Sequence, residues 1–330
     1  MTQIYVLANF GGPRSLDEIE PFLTSLLTDP YVTGKIFSEK LTKKLFTWIA
    51  KKRTPKVIPQ YAAIGGFSPI VKDTLTMSQH LERALCSPVI PFHRYLPHTY
   101  EETFSRLQQL NKREVVGIPL FPHFTYCVTG SIVNFLSKSL PNISWKWITD
   151  FGSHTAFIQS WIGHLKEFFK KNRVPEDDCV LLFSFHGIPE SMSKKGDPYA
   201  SQCRLSFNLL SKAFPFSETL LSFQSRFGPS KWLQPYTKKV CQTLKSKKKH
   251  IAIVPLGFIS DHLETLFEIE NEYLPTLAER GYKVYRVPAI FDSPLWPSAL
   301  NEIVQTSTRF CPKEIFVKGF KGSEHRNHNN

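Results

Sequence analysis

Residues 179–203 read CVLLFSFHGIPESMSKKGDPYASQC. The stretch from Cys179 to Phe185 carries no charge and no polar alternation, as expected of a strand covered on both faces in a parallel sheet. It stops at His186 and Gly187. A polar loop then runs through Lys194, Lys195 and Gly196 to Asp197-Pro198, an N-cap followed by proline at the first helical position. Strand, loop and helix in that order form one repeat of an α/β fold. His186 is thereby expected at the carboxyl end of a strand, where open α/β sheets carry their chemistry. Gly187 is expected to let a ligand approach the backbone closely. A hydrogen-bonded structural histidine is the competing reading.

The same alternation extends outward in both directions. Further strands are expected at 4–8, 89–93, 114–119, 144–148, 219–223, 250–255 and 283–287, with the central one at 180–185. Helix signals lie between them. Ser15-x-x-Glu18 reads as a capping box for a helix ending near Asp29-Pro30, and Gly281 closes a helix after Arg280. Four strands precede residue 150 and four follow 180. The fold class is therefore α/β with two Rossmann-like domains, each a parallel sheet flanked by helices, and ligands are expected in a cleft between them. The domains are expected over 1–155 and 156–318, with 319–330 as a disordered tail.

The chain has 330 residues, 42% of them hydrophobic and 21% charged, with a formal net charge of +13. These values fit a globular protein with anionic partners. No apolar run approaches the roughly 18 residues of a membrane span. The opening MTQIYVLANFGGP has neither a basic n-region nor an Arg-rich transit pattern, so a cytoplasmic location is expected. The six cysteines are widely spaced, with no CxxC pair, and read as free thiols. No GxGxxG, GxxxxGK[ST] or GxSxG motif is present, and nucleic-acid binding has only net charge in its favour.

Basic residues concentrate in KKLFTWIAKKRTPK, residues 43–56, where six Lys or Arg meet no acid. Leu41, Leu45, Trp48 and Ile49 share one helical face there. A face of this kind lies on anionic lipid, covers an acidic ligand, or packs into the core with a solvated basic back.

A second strand ends in VPLGFISDHLETLFEIENEY, residues 254–273. Glu264, Glu268 and Glu272 recur every four residues and form a ladder of like charges on a helix. Asp261-x-x-Glu264 also fits a simple helix cap, with Glu268 and Glu272 facing water. If the strands carrying His186 and this turn are neighbours, imidazole and carboxylate converge. Such a pair serves acid–base chemistry or a metal held in passing.

The blocks NFGGPRSLDEIEPFL, KKRTPKVIPQYAAIGGFSPI, FHRYLPHT, FSFHGIPESMSKKGDPYASQC, FQSRFGPSKWLQPYT and ISDHLETLFEIENEY resemble, in the same order, the motifs of the ferrochelatases. The resemblance spans about Tyr5 to Pro297. It implies a chelatase-like two-domain fold and insertion of Fe²⁺ into protoporphyrin IX, with release of two protons, as the last step of haem synthesis. It makes His186 and Glu264 the catalytic and metal-contacting pair. Asp261, His262, Glu268 and Glu272 become a proton or metal relay. Phe10, Lys52, Arg53, Tyr61, Ser68, Arg94, Tyr95 and Trp232 become porphyrin-binding residues, with a lip over about 31–70 touching the membrane surface. Lys52, Arg53 and Arg94 suit propionates by charge-assisted hydrogen bonds.

The chain departs from the family pattern in four places. Phe10 stands where members using coproporphyrin tend to have an iron-ligating tyrosine, which favours protoporphyrin. Phe67 replaces a usual glycine, and His123 a common glutamine. Only Cys311 lies near the C-terminal end, so no iron–sulfur cluster and no other permanent cofactor is expected. The alternatives are a chelatase for coproporphyrin or another metal, and a non-catalytic haem or metal carrier.

Overall fold

Eight strands form among the described residues, which in this computed structural model are 3–34, 38–111, 113–228 and 230–317. They are β1 (Ile4–Asn9), β2 (Val89–His93), β3 (Glu114–Pro119), β4 (Ser144–Trp147), β5 (Cys179–His186), β6 (Glu218–Gln224), β7 (His250–Val254) and β8 (Lys283–Arg286). All eight fall where the apolar runs predict them. The expected tail at 319–330 and residues 35–37 of the expected lip lie outside the described residues.

Two sheets result, in the orders β2-β1-β3-β4 and β6-β5-β7-β8. Every pairing is parallel. Strand β1 is buried throughout and β5 is buried up to His186, which accounts for their unbroken apolar character. In each sheet the chain moves to one side of its first strand and then crosses to the other. That reversal opens a switch point at the carboxyl ends of the first and third strands. In the first sheet Phe10 follows β1 at this point. In the second, His186 ends β5, and β7 pairs directly beside it.

The chain divides into two compact units. The first holds Met1–Leu120, Phe124–Thr149 and Thr308–Val317; the second holds Phe121–His123 and Asp150–Ser307. A single segment over 156–318 differs from this, because Phe310 returns to β4. Its N–H and carbonyl bond those of Trp147 at 2.9 and 2.8 Å. No local pattern around Phe310 marks that pairing.

The helix Glu39–Ala63 corrects one expectation. Its buried positions are Thr42, Phe46, Ala50, Thr54, Val57 and Tyr61. This row is largely small or polar, so periodicity favoured the larger Leu41, Leu45, Trp48 and Ile49 instead. Yet Leu41 is 59% and Trp48 57% exposed, and the Lys52 ammonium sits 5.8 Å from the Trp48 ring centre. The stripe is therefore split: Leu41 and Trp48 face outward, while Leu45 and Ile49 are half-buried beside the core row.

The box at Ser15 also fails to form. The Ser15 side chain makes no capping bond, and the Glu18 carboxylate accepts instead from the Arg14 backbone N–H at 2.9 Å and from its guanidinium. A charged donor four residues away outcompetes a neutral backbone group. Asp197 accepts from the Tyr199 N–H at 3.0 Å, but it stands one residue before the N-cap, which is Pro198, so the helix begins one position later than expected.

Candidate active site

Strand β5 delivers His186 half-buried at its end. The imidazole Nδ1 lies 2.6 Å from the Gly187 carbonyl oxygen. A carbonyl only accepts, so Nδ1 carries a proton, and in the neutral ring Nε2 keeps the lone pair. That nitrogen is the atom able to take a proton or touch a metal. The His186 carbonyl accepts from the Tyr199 hydroxyl at 2.9 Å, which pins the backbone behind the ring. Trp232 and Phe258 flank the imidazole at ring separations of 6.2 and 6.5 Å.

Gly187 serves a different end from the one expected. Its N–H donates to the Gln224 carbonyl at 2.9 Å, and a Cβ there would lie 3.1 Å from both that oxygen and the Trp232 ring. The absent side chain makes room for Trp232 and β6, so the space is already filled by protein.

The segment after β7 approaches the same strand end. A Cβ on Gly257 would stand 3.4 Å from the Phe185 Cα and 3.6 Å from the His186 nitrogen. Phe258 then packs on His262 at 4.8 Å, and His262 Nε2 lies 3.1 Å from the Glu264 carboxylate. Nε2 is thus the donor, and the buried Nδ1 is left without a partner. The Glu264 side chain keeps 35% of its surface exposed.

Asp261 does not cap the following helix. Both of its oxygens accept from Arg286 Nη1 at 2.9 Å, and Oδ1 also accepts from the Thr265 hydroxyl at 2.6 Å. Arg286 in turn donates to Glu270 at 2.6 Å. The charge of Arg286 outweighs a single backbone N–H. Asp261 consequently anchors the turn to β8.

The acidic ladder lies on a π-helix, Glu264–Tyr273, where an ordinary α-helix was expected. Such wide turns are rare and concentrate at functional sites. Glu268 accepts from the Gln224 amide at 3.2 Å, the Ser225 N–H at 3.1 Å, the Ser225 hydroxyl at 2.5 Å and the Tyr273 hydroxyl. Gln224 also donates to the Glu264 carbonyl at 2.9 Å. Glu272 is exposed at the outer end. Its carboxyl is held above the usual range, by desolvation first and then by the charge of Glu268. Among the described residues no three His, Cys, Asp or Glu side chains are grouped as a metal cage.

In the first unit, Phe10, Arg94 and Tyr95 gather at the ends of β1 and β2. Tyr95 donates its N–H to the Phe10 carbonyl at 2.9 Å, and their rings lie 5.1 Å apart. Tyr95 is fully buried with its hydroxyl on Asp29 at 3.0 Å. Arg94 also donates to Asp29, at 2.8 Å, and to Ser131 at 3.0 Å. Neither side chain presents its polar atoms freely, because Asp29 claims both. Ser68 is buried against Gly12, whose missing Cβ would lie 2.5 Å from it. Tyr61 is buried, Arg53 half-buried and Lys52 exposed on the helix Glu39–Ala63.

Sequence reasoning missed Gln224, Ser225, Tyr273, Arg286 and Asp29. Gln224-Ser225 was detectable, since it ends β6 as His186-Gly187 ends β5. The others carry no local signal.

His123 is fully buried in the second unit. Its Nε2 lies 2.8 Å from the Ser206 hydroxyl, which donates to the Gly152 carbonyl at 2.8 Å. Nε2–H is therefore the donor, and Nδ1 has no partner. Burial pushes the imidazole down to about 3. The unfolded chain protonates first, so this group's stability contribution is present above about pH 6.5 and is lost as pH falls toward 3. The loss at pH 4 is about 3 kcal/mol relative to pH 7. His123→Gln keeps a donor for Ser206 and does not titrate. Urea unfolding at the two pH values should show a drop smaller by about that amount in the variant; an identical drop would refute the assignment.

Solved structures that share this fold include chelatases. SirB from Bacillus subtilis with Fe³⁺ superposes with a TM-score of 0.57 at 15% identity, covering 92% of this chain and 95% of that one. CbiX, the terminal enzyme for siroheme biosynthesis in denitrifying bacteria, gives 0.51 at 12% identity, covering 93% and 99%. The fold is thus that of the two-domain chelatases. The chain belongs to the ferrochelatase family, whose sequence model matches residues 5–308. The ferrochelatase of Chlamydia abortus is 52% identical over 318 residues, covering 96% of this chain and 100% of that protein. That of Chlamydia pneumoniae is 50% identical over 320 residues, covering 97% and 98%. The chain is accordingly a metal-chelating lyase of haem biosynthesis, with iron and a porphyrin as its substrates.

Proposed function

We propose that the chain inserts Fe²⁺ into protoporphyrin IX and that His186 is the base of the reaction. The observation that carries this reading is the bare Nε2 of His186, oriented by its Nδ1–H bond to Gly187. A free-base porphyrin has two pyrrole N–H groups, and both protons must leave as the metal enters. A neutral imidazole takes one at physiological pH. It cannot hold that proton and a metal on the same nitrogen, so the two events are separated in time or between residues. Glu264 is the facing carboxylate for the metal or for the second proton. His262 orients it, and Asp261 anchors the turn. Glu268 and Glu272 lead protons outward.

Trp232 beside His186 supplies an apolar wall, and Phe10 and Phe67 are assigned to others. Lys52 and Arg53 are assigned to the propionates. Arg94 and Tyr95 are assigned a supporting role through Asp29, and Tyr61 and Ser68 shape the surrounding backbone. Phe10 has no ligating atom, which favours protoporphyrin over coproporphyrin. The exposed Leu41 and Trp48 among lysines support peripheral contact with an anionic membrane. No helix among the described residues is long and apolar enough to cross one.

Anaerobic Fe²⁺ insertion, followed by loss of porphyrin fluorescence, tests the substrate. Protoporphyrin should turn over at least about tenfold faster than coproporphyrin. The reverse order would keep the family and remove the argument from Phe10.

A further inference from the structure

A groove of about 480 Å³ in the first unit is lined from two helices, Ile19–Leu27 and Glu39–Ala63. One wall carries Thr24, Ser25 and, just past its helix, Thr28; the other carries Lys43, Thr47 and Lys51. Residues 43, 47 and 51 are four apart and so share one face of their helix. Lys52 and Arg53, assigned above to the porphyrin, do not line it.

The polar groups of this groove are largely unspent. A helical hydroxyl commonly donates to the carbonyl four residues back. Thr28 and Thr54 do so, at 2.7 and 3.0 Å. Among the described residues the half-buried hydroxyls of Thr24, Ser25 and Thr47 make no such bond. Each keeps a donor and an acceptor for a ligand. Lys43 and Lys51 likewise pair with no carboxylate among the described residues. Glu20 also lines the groove but reaches neither lysine. Two ammonium groups against one carboxylate leave the groove positive.

Its place on the surface narrows the ligand. Successive residues of a helix turn by about 100°. The row of Lys43, Thr47 and Lys51 therefore falls between the exposed face of Leu41 and Trp48 and the buried row of Phe46 and Ala50. The opposite flank holds Leu45 and Ile49, half-buried and apolar. An interface that receives Leu41 and Trp48 thus borders the groove on its polar side. Ammonium groups with hydroxyls between them suit a phosphate, whose several oxygens accept from both at once.

We propose that this groove is a head-group site, which takes the phosphate of an anionic phospholipid while the acyl chains stay in the bilayer with Leu41 and Trp48. The inference rests on the membrane contact proposed above and gives that contact a specific chemical partner. Lys43 and Lys51 supply the charge, and Ser25 and Thr47 the hydroxyl donors that tell phosphate from any other negative surface.

The test is flotation of the full chain with two kinds of vesicle. One is phosphatidylcholine with about one part in four of phosphatidylglycerol; the other replaces phosphatidylglycerol with oleate at equal surface charge. Ser25→Ala with Thr47→Val removes two hydroxyls and no charge. It should weaken binding to phosphatidylglycerol vesicles about tenfold and leave binding to oleate vesicles within about twofold. Lys43→Gln with Lys51→Gln should weaken phosphatidylglycerol binding at least about fivefold more than Lys44→Gln with Lys56→Gln, which removes the same charge outside the groove. Unchanged binding in the hydroxyl pair, or equal losses in the two lysine pairs, would overturn the site and leave the membrane contact standing. An unaltered protein that stays off phosphatidylglycerol vesicles refutes the contact and the site together. Inorganic phosphate that binds the vesicle-free protein more tightly than the phosphatidylglycerol surface does would assign the groove to a soluble ion and overturn the lipid reading. Should the hydroxyl pair fail to fold, the two lysine pairs, all on exposed side chains, decide the question.

Discussion

His186→Ala should reduce the rate of iron insertion by about 10²–10⁴-fold while leaving porphyrin binding within about threefold. Among the described residues the side chain makes one hydrogen bond, to the carbonyl of its own neighbour. Its removal leaves β5 paired on both sides, since those pairings use only backbone groups. Trp232 and Phe258 keep their places on the surrounding backbone. On the proposed mechanism, what disappears is the nitrogen that takes the pyrrole proton. A residue used only in the transition state lowers kcat and kcat/KM together, and that pattern is the expected one. Binding is read from porphyrin fluorescence without iron, and turnover from its loss when iron is added. Normal turnover in the variant would exclude His186 as the base. Loss of binding with proportional loss of turnover would instead make it a porphyrin contact.

Asp29→Ala should be the most damaging single change in the first unit, at about 3–5 kcal/mol of stability. The Asp29 carboxylate is 1% exposed and is paired with Arg94, itself 14% exposed. One oxygen takes Arg94, the Tyr95 hydroxyl and the Ser131 hydroxyl at 2.8, 3.0 and 2.5 Å. The other takes the Tyr31 N–H at 2.8 Å. Alanine leaves a buried guanidinium and two hydroxyls without their acceptor, and the stranded charge dominates the loss. A typical domain has only about 5–15 kcal/mol in total, so the variant should unfold at much lower urea. Asp29→Ala with Arg94→Met removes both charges and should recover much of the difference. A loss below about 1 kcal/mol for the single variant would show that water replaces the carboxylate and that the pair is not truly buried.

Much of this protein follows from local pattern. A strand covered on both faces must be apolar at every position, and eight such runs stand out from the helices between them. The end of a run is equally visible. His186-Gly187 and the turn before Glu264 were therefore placed at strand ends without knowledge of any contact. The ladder of Glu264, Glu268 and Glu272 was legible as a row because its spacing is regular.

The same patterns misled wherever a partner lay far along the chain. Periodicity on the helix Glu39–Ala63 favoured the larger side chains, while the core took the smaller row, because burial depends on what packs opposite. Asp261 had the spacing of a cap, but Arg286, 25 residues away, brings a full charge to it. Tyr95 lay in a porphyrin block, and Asp29, 66 residues earlier, draws its hydroxyl inward. Glu268 read as a solvated or relaying acid until Gln224 and Ser225 met it across 44 and 43 residues.

By itself the sequence determined the strands, the helices between them, the strand ends that carry His186 and the β7 turn, and the family. Each of these depends on residue type and short spacing, which the chain carries locally. The tertiary structure alone decided the order of strands, and with it the switch point that sets His186 beside the β7 turn. It also decided the π-helix and the partners of Asp29, Asp261 and Glu268. Those features arise only when distant segments meet, because a buried charge selects the best donor it can reach in space.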